Sequence, residues 1–239
     1  MSVVVVGKNS FIAQHLQHSE LCADWLFLSH DEALQNDSPI KSAKTVINCA
    51  FSPDLFKENY NEENDIDTQL AKRIQNSDAR YIMLSSRLVY GDTEHLSEHE
   101  EPEPNTPYGH NKFKIEKNLY DILGNERLCI LRCSNIFGYE LGRKSFFGYM
   151  LGSLKEQNKI IFNMSADTQK DFMPVETLSE ILISIESKQL IGLYNLGSGF
   201  SIACGDIAQF VIQGFGKGKL EIEDHKIHGQ FFMNVSKLQ

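Results

Sequence analysis

The feature that most constrains the fold is a series of short apolar runs that alternate with helix-like segments. Val3 to Val6, the first run, is continuous and β-branched, which is typical of a parallel strand buried on both faces. Comparable runs recur at 25–28, 44–50, 81–84, 127–131 and 193–196. The alternation predicts an α/β fold with a doubly wound parallel sheet. In such a sheet, residues at the carboxyl ends of the strands line the ligand crevice, so they are the first candidates for a site.

Length and charge exclude several classes of protein. A chain of 239 residues is long enough for one large α/β domain, or for one domain with a small appendage. The net charge of −9 opposes binding to nucleic acid, which needs a basic face, but allows a small anionic ligand where Lys and Arg gather locally. No apolar run approaches about 18 residues, so we expect a cytoplasmic protein with no membrane segment.

The cysteines predict neither disulfides nor a metal site. They are five, scattered along the chain, and none has CxxC or Cys/His ligand spacing. Several lie in or beside apolar runs, so we expect reduced, buried thiols.

The segment 7–13 follows the first strand at once and opens a helical pattern. A strand, a tight Gly7 turn and a helix start form the place where a dinucleotide pyrophosphate would bind. Ser10 and Ala13 stand where the dinucleotide motif usually has glycine. Ser10 can cap the helix and offer its hydroxyl to phosphate, and Ala13 still allows close packing. An ordinary strand-to-helix turn is the alternative interpretation.

The end of the second strand bears on which dinucleotide would bind. NAD sites usually place an acid there to hold the ribose 2′-OH, whereas NADP sites replace the acid and add a cation. Ser29 occupies this position, and Lys8 supplies a cation in the phosphate turn. The pattern favours NADP. Asp31, two residues later, keeps NAD as the alternative.

Tyr108 and Lys112 are the strongest candidates for chemistry. They are four residues apart on a helix that Pro107 can begin and Gly124 can end, so both side chains leave the same face. We predict that the Lys112 ammonium lowers the pKa of the Tyr108 phenol. Ser86, near the end of the fourth strand, could bind the same substrate oxygen. Together they could move a proton at a carbinol or carbonyl oxygen while a cofactor moves the hydride. A Tyr and a Lys on an ordinary amphipathic helix is the alternative interpretation.

The chain is predicted to divide near Gly138, where the alternation loosens. Residues 1–138 would form the dinucleotide-binding Rossmann core, which carries Ser86, Tyr108 and Lys112. Residues 139–239 would form a small α+β substrate lobe, interleaved with the last core strand and helix at about 171–215. Residues 92–105 hold five glutamates and no periodicity, so we predict a solvated acidic loop over the crevice.

The sequence resembles the extended short-chain dehydrogenase/reductases, the NAD(P)-dependent group of sugar-nucleotide epimerases, dehydratases and reductases. Eight segments carry the resemblance in the right order, although none is decisive alone. They are Gly7, Ser10 and Ala13; residues 48–50; Asn64; Ser85 and Ser86 with 89–91; Tyr108 and Lys112; Leu131, Arg132, Asn135 and Gly138; Asp171, Phe172 and Val175; and residues 194–197.

The resemblance implies a role for each matching residue. Tyr108 would transfer the proton, Lys112 would bind the nicotinamide ribose, and Ser86 would polarise the same oxygen. Arg132 is interpreted as a structural partner of a carboxylate. With the strand-end argument, the cofactor contacts are Gly7, Lys8, Ser10, Phe11, Ile12, Ser29, Asn48, Ala50, Tyr108 and Lys112. The substrate contacts are Ser86, Arg87, Asn135, Phe162 and Lys170; Asn135 and Lys170 would bind phosphates, and Phe162 would border the base.

Departures from the family pattern restrict the reaction. Sugar-nucleotide dehydratases need an acid and a base next to the catalytic hydroxyl, but Arg87 and Leu88 follow Ser86. We therefore predict reduction of a 4-keto sugar nucleotide, with an NAD-dependent 4-epimerase and a non-catalytic NAD(P)-binding regulatory protein as alternatives. The short tail predicts a reduced substrate lobe, with Gln230 where a late phosphate-binding Arg is expected. The resemblance also implies a homodimer packed through helices at 66–77 and 108–124.

Overall fold

A computed structural model describes residues 3–57, 60–139 and 145–239. Its strands are β1 (Val3–Val6), β2 (Leu26–Leu28), β3 (Thr45–Asn48), β4 (Arg80–Ser86), β5 (His95–Leu96), β6 (Leu128–Cys133), β7 (Asn135–Phe137), β8 (Lys159–Phe162), β9 (Gln169–Lys170), β10 (Phe172–Pro174), β11 (Gly192–Leu196), β12 (Ile202–Ala203), β13 (Lys219–Ile222) and β14 (Phe232–Met233). Its α-helices are α1 (Phe11–Gln17), α2 (His30–Gln35), α3 (Ser38–Ser42), α4 (Ile66–Ile74), α5 (Pro107–Leu123), α6 (Phe146–Gln157), α7 (Val175–Ser187) and α8 (Cys204–Phe215).

A six-stranded sheet forms the centre of the protein, in the order β11-β6-β4-β3-β1-β2. Every neighbouring pair in it is parallel. Alternate residues along each strand pack on opposite faces: Val4 and Val46 contact the side chains of α2 to α5, whereas Val5 and Ile47 contact those of α1 and α7. This confirms the predicted α/β fold with a doubly wound parallel sheet.

A smaller lobe packs beside the carboxyl edge of the sheet. Strands β8 and β13 pair in parallel, and α6 and α8 cover them around an apolar cluster that includes Met150, Leu154, Ile160 and Phe162. Strand β11 is part of the main sheet, and helix α7 packs against that sheet, although both follow residue 139. The division of the chain into 1–138 and 139–239 stays a prediction.

The acidic segment 92–105 differs from the predicted solvated loop. It contains β5, which pairs in parallel with β14, and Leu96 is fully buried. The Glu98 carboxylate accepts a hydrogen bond from the Asn195 backbone N–H at 2.7 Å. The segment is therefore tied to the sheet and to the last strand, because a buried leucine and a backbone ladder outweigh its charged composition.

Two further expectations concern cysteines and membranes. All five cysteines are free and buried, which confirms the predicted thiols, and burial raises the pKa of Cys133 to about 12. Among the described residues, no helix is long and apolar enough to cross a membrane.

Candidate functional site

A cavity of about 800 Å³ opens at the carboxyl edge of the main sheet. Eleven of the predicted contacts line it, drawn from six segments of the chain. They are Gly7, Ser10, Phe11, Ile12, Ser29, Asn48, Ala50, Ser86, Tyr108, Lys112 and Asn135. The parallel sheet brings them together because its strand ends share one edge.

The turn after β1 is built on Gly7. Its φ of +95° is a backbone conformation that favours glycine, and a Cβ added there would lie 2.4 Å from the Ala50 backbone nitrogen. Ser10 caps α1, since its Oγ accepts a hydrogen bond from the Ala13 N–H at 3.2 Å. The backbone after β1 therefore lies directly against the backbone after β3, with no side chain between Gly7 and Ala50.

We expect Gly7→Ala to weaken both folding and dinucleotide binding. The positive φ alone costs a non-glycine residue about 1–2 kcal/mol, and the contact with Ala50 adds to this because it involves backbone atoms. Thermal unfolding and dinucleotide titration would measure the two effects. Gly152→Ala is the matched control, because Gly152 lies in α6 with open space where its Cβ would be, so that change should stabilise the protein slightly. Equal melting temperatures for the two variants would contradict the expectation.

Lys8 and Ser29 are engaged with Glu32. The Lys8 ammonium lies 2.7 and 2.8 Å from the two carboxylate oxygens of Glu32. Ser29 caps α2 in a reciprocal capping box with the same residue, and Ser29 lines the cavity. The hydrogen bond from Lys8 holds the pKa of Glu32 at about 2, so Glu32 is a carboxylate at neutral pH. Lys8 itself is not among the described residues that line the cavity.

Helix α5 presents Tyr108 and Lys112 to the cavity. Thr106 caps the helix by accepting the Gly109 N–H at 3.1 Å, and Pro107 takes its first position as predicted. Gly109 allows α5 to approach the turn after β4 closely, because a Cβ there would lie 2.3 Å from the Leu88 carbonyl oxygen. This approach brings Tyr108 to the same cavity as Ser86, whose Oγ accepts the Leu88 N–H at 3.2 Å.

The predicted lowering of the Tyr108 pKa is wrong. Burial raises the pKa of Tyr108 above its ordinary value, and this outweighs the opposing effect of the Lys112 charge. The Tyr108 ring stacks on Phe56 at a centroid distance of 4.7 Å and meets Phe51 edge-on at 5.9 Å. Tyr108 is therefore a neutral phenol at pH 7, which is the form that can donate a proton.

Lys112 is held from two sides. Its Nζ donates to the Leu84 carbonyl oxygen at 3.0 Å and to Asp67 Oδ2 at 3.3 Å. Burial alone would lower the pKa of Lys112, but the Asp67 carboxylate, followed by Tyr108 and Asp65, raises it above the ordinary value. Lys112 is therefore an ammonium at neutral pH.

A family model described as the RmlD substrate binding domain matches residues 1–229. The chain belongs to this family, within the extended short-chain dehydrogenase/reductases. A curated relative, the ADP-L-glycero-D-manno-heptose-6-epimerase of Alkalilimnicola ehrlichii, is 27% identical over 155 residues, which cover 59% of this chain and 48% of the epimerase. The match thus spans about half the length of that curated relative.

Solved structures show the same fold at low identity. The UDP-N-acetylglucosamine 4-epimerase of Methanobrevibacter ruminantium, in complex with UDP-N-acetylmuramic acid, has a TM-score of 0.83 at 19% identity, over 99% of this chain and 90% of its own. MoeE5 with UDP-glucuronic acid and NAD has a TM-score of 0.82 at 17% identity, over 100% and 91%. The dTDP-4-dehydrorhamnose reductase of Bacillus anthracis with NADP has a TM-score of 0.80 at 17% identity, over 100% and 92%.

Two cations predicted to bind substrate lie beyond the lining of the main cavity. The Arg87 guanidinium stacks 3.8 Å from the Phe231 ring centroid, and burial lowers the pKa of Arg87 to about 10. Burial also lowers the pKa of Lys170, and the Arg87 charge contributes to this. Within the described ranges, neither cation forms an ion pair within 4.0 Å, although the Asp92 charge opposes the effect of burial on Arg87.

Phe162 is placed differently from the prediction. Its side chain is 3% exposed in the core of the small lobe, because it is an inward residue of β8. Phe146, which packs against it at a centroid distance of 5.5 Å, lines the cavity with its neighbour Phe147. Sequence reasoning missed these two, and the available signal was an aromatic pair directly after Ser145, which caps α6.

Arg132 contacts a carboxylate, as predicted. Its Nη2 donates to Glu116 Oε2 at 2.7 Å and its Nε donates to Oε1 at 3.1 Å. Ser85 donates a short hydrogen bond to the same Glu116. Of the two serines at the end of β4, Ser86 therefore keeps the hydroxyl that is available to a ligand.

Proposed function

We propose that the chain is an NAD(P)-dependent oxidoreductase that reduces the keto group of a nucleotide-activated 4-keto sugar. The observation that carries the proposal is that Ser86, Tyr108 and Lys112 line one cavity with the Gly7 turn. Membership of the RmlD substrate binding domain family supports it, as do the dTDP-4-dehydrorhamnose reductases among the structural neighbours.

The residues around the turn fit a dinucleotide. Gly7 lets the turn after β1 pack directly on the Ala50 backbone, and Ser10, Phe11 and Ile12 line the cavity beside this turn, where a diphosphate would bind at the start of α1. Structural neighbours were solved with NAD or NADP, which supports the cofactor class. We propose NADP, because Ser29 rather than an acid directly follows β2; NAD is the alternative, because Asp31 also lines the cavity. The bound nicotinamide would supply the hydride.

The chain's own groups would handle the proton. Tyr108 is neutral at pH 7, so it can donate its proton to the carbonyl oxygen as that oxygen becomes an alcohol. Ser86 would hold the same oxygen by a hydrogen bond. The Lys112 ammonium would stabilise the phenolate that forms when Tyr108 has lost its proton.

Arg87 and Lys170 would bind the diphosphate of the substrate. Both are partly buried cations, and the Arg87 charge acts on Lys170. Asp92 is the one carboxylate whose charge acts on Arg87 among the described residues, and neither cation forms an ion pair within 4.0 Å there. An anion would therefore relieve the repulsion between them. Asn135, Phe146 and Phe147 line the main cavity. A homodimer packed through α4 and α5 is also part of the proposal, and light scattering of the purified protein would test it.

The test combines cofactor release with an assay. The purified protein is denatured and any released dinucleotide is identified; NADPH oxidation is then followed with UDP-, dTDP-, GDP- and CDP-linked 4-keto sugars. We expect NADPH consumption with at least one substrate and no stoichiometric NAD. Stoichiometric NAD with interconversion of two sugars would contradict the proposal and favour a 4-epimerase, a reaction class supported by the epimerase neighbours.

The same assay tests the diphosphate contact through Lys170→Gln. Loss of one charge-assisted hydrogen bond, worth about 1.5–3 kcal/mol, should raise KM roughly 10- to 100-fold and change kcat little. Lys41→Gln is the matched control, because Lys41 forms an exposed ion pair with Asp37 and neither residue lines the cavity. An unchanged KM for Lys170→Gln would remove this residue from the substrate site.

A further inference from the structure

Asp67 is a buried carboxylate that the proposed reaction does not use. It lies in the first turn of α4 with 3% of its surface exposed. Its Oδ1 accepts hydrogen bonds from Asn48 Nδ2 at 2.8 Å and from the Tyr81 hydroxyl at 2.9 Å. Its Oδ2 accepts one from Lys112 Nζ at 3.3 Å. Asp67 therefore joins β3, β4 and α5 at the floor of the cavity.

The partners of Asp67 are as enclosed as Asp67 itself. Asn48, Tyr81 and Lys112 are each at most 4% exposed. Burial of a carboxylate is costly unless it is paired and hydrogen-bonded, and here three donors satisfy it. A cluster of this kind has one well-defined arrangement, because each member would lose a partner in any other.

The contacts of Lys112 leave one donor for a ligand. An ammonium has three N–H groups, and Asp67 and the Leu84 carbonyl oxygen accept two of them. The third has no partner among the described residues, and Lys112 lines the cavity. The two fixed contacts therefore determine where the remaining N–H can point.

The cluster also reaches the Gly7 wall, which is formed by Gly7 and the Ala50 backbone beside it. Asn48 donates to Asp67 through its Nδ2, and its Oδ1 accepts the Ala50 N–H at 2.9 Å. Ala50 N is the atom nearest to the position where Gly7 has no Cβ. A continuous set of hydrogen bonds thus runs from the Gly7 wall to Lys112.

We propose that Asp67 is a positioning residue that fixes the Lys112 ammonium, with its third N–H directed at the nicotinamide end of the cavity, and ties it to the Gly7 wall. The inference rests on the proposed function and adds to it a residue that acts through Lys112. Asp67 does not line the cavity, so it is not a catalytic residue itself.

The charged state of Lys112 depends on the groups that face it. These are Asp67 from α4, Asp65 from the N-cap of α4, Tyr108 from its own helix and Cys133 from the end of β6. Burial favours the neutral amine, and Asp67 is the largest opposing influence. Because Asp67 is the largest influence that keeps Lys112 charged, removal of its charge lowers the pKa of Lys112 from the wild-type value.

Asp67→Asn tests the proposal in the protein without ligands. In this variant the folded pKa of Lys112 is lower than in the wild type, so above that lowered pKa the folded variant binds fewer protons than the folded wild type. We expect its melting temperature, relative to the wild type, to rise as the pH increases through the lowered pKa of Lys112. Asp37→Asn is the matched control: it makes the same change in an exposed pair with Lys41, 2.8 Å apart, and should follow the wild type. A difference from the wild type that is constant with pH would overturn the proposal.

A second measurement separates positioning from support of the fold. Asp67→Asn should bind NADP or NAD roughly tenfold more weakly, as expected for a misplaced charge-assisted contact, and the alkaline limb of kcat/KM should move to lower pH. Unchanged dinucleotide affinity would overturn the proposal. If Asp67→Asn does not fold, Asp67→Asn/Lys112→Met removes both charges and should fold; its failure would also overturn the proposal. The melting profile needs no substrate, so it is independent of whether the reductase assignment holds.

Discussion

Tyr108→Phe should lower kcat about 10²- to 10⁴-fold and leave dinucleotide affinity nearly unchanged, because proton transfer by a positioned side chain contributes a factor of that size. The substitution removes only the hydroxyl. The ring can still stack on Phe56 at 4.7 Å and contact Phe51 at 5.9 Å, so the helix and the cavity wall should keep their places. Steady-state kinetics with the best substrate and a dinucleotide titration would measure both quantities.

Tyr120→Phe is the matched control for this experiment. Tyr120 lies on the same helix and is also partly buried, but it does not line the cavity. Normal turnover by Tyr108→Phe would show that Tyr108 does not transfer the proton. If wild-type protein binds the dinucleotide but no sugar nucleotide is turned over, the non-catalytic alternative gains support.

The pH dependence follows from the raised pKa of Tyr108. Its phenol is neutral below that pKa, so the proton needed for reduction is present throughout the neutral range. The rate of reduction should fall only as the pH rises through the pKa of Tyr108, and Tyr108→Phe should lack this limb.

Glu116→Ala should lower the free energy of unfolding by about 3–5 kcal/mol, the usual cost of leaving one partner of a buried ion pair uncompensated. Glu116 is 2% exposed and binds Arg132 through two hydrogen bonds, of 3.1 and 2.7 Å. Its loss would leave the Arg132 charge buried against the Tyr90 ring, at 4.6 Å, and Ser85 without its acceptor. Urea denaturation monitored by circular dichroism would measure the change.

Two comparisons define the cause of that loss. Asp37→Ala breaks the exposed pair with Lys41 and should cost at most about 1 kcal/mol. Glu116→Met/Arg132→Met removes both buried charges and should recover much of the stability, since apolar residues of similar volume can replace a buried pair. Equal losses for Glu116→Ala and Asp37→Ala would show that the buried pair contributes no more than a surface pair.

The sheet and the location of the cavity could be predicted because both follow from local patterns. Buried parallel strands are continuous apolar runs, and their carboxyl ends meet at one edge, so Gly7, Asn48 and Ser86 could be placed together from their order alone. The helix that carries Tyr108 could also be predicted, since Pro107 and Gly124 mark its ends.

Features that depend on three-dimensional enclosure could not be predicted. The charge beside Tyr108 is visible as Lys112, but the burial that outweighs it depends on how distant segments pack around the ring, including Phe51 and Phe56, which contact it. Asp67 is one acid on an amphipathic helix, and only the fold turns it toward Lys112. Phe162 and Phe146 are both aromatic, and which of them faces the cavity depends on how α6 packs on β8.

The two ends of the cavity differ in how many structural elements hold them in place. Asp67, Asn48, Tyr81 and Lys112 brace the Tyr108 end through four elements. The end lined by residues 29–31 follows β2, an edge strand of three residues that pairs with β1 alone in the main sheet. Substitutions around Ser29 therefore disturb little of the core. Under the proposed function, the preference for one dinucleotide over the other can diverge among relatives while the reaction centre stays the same.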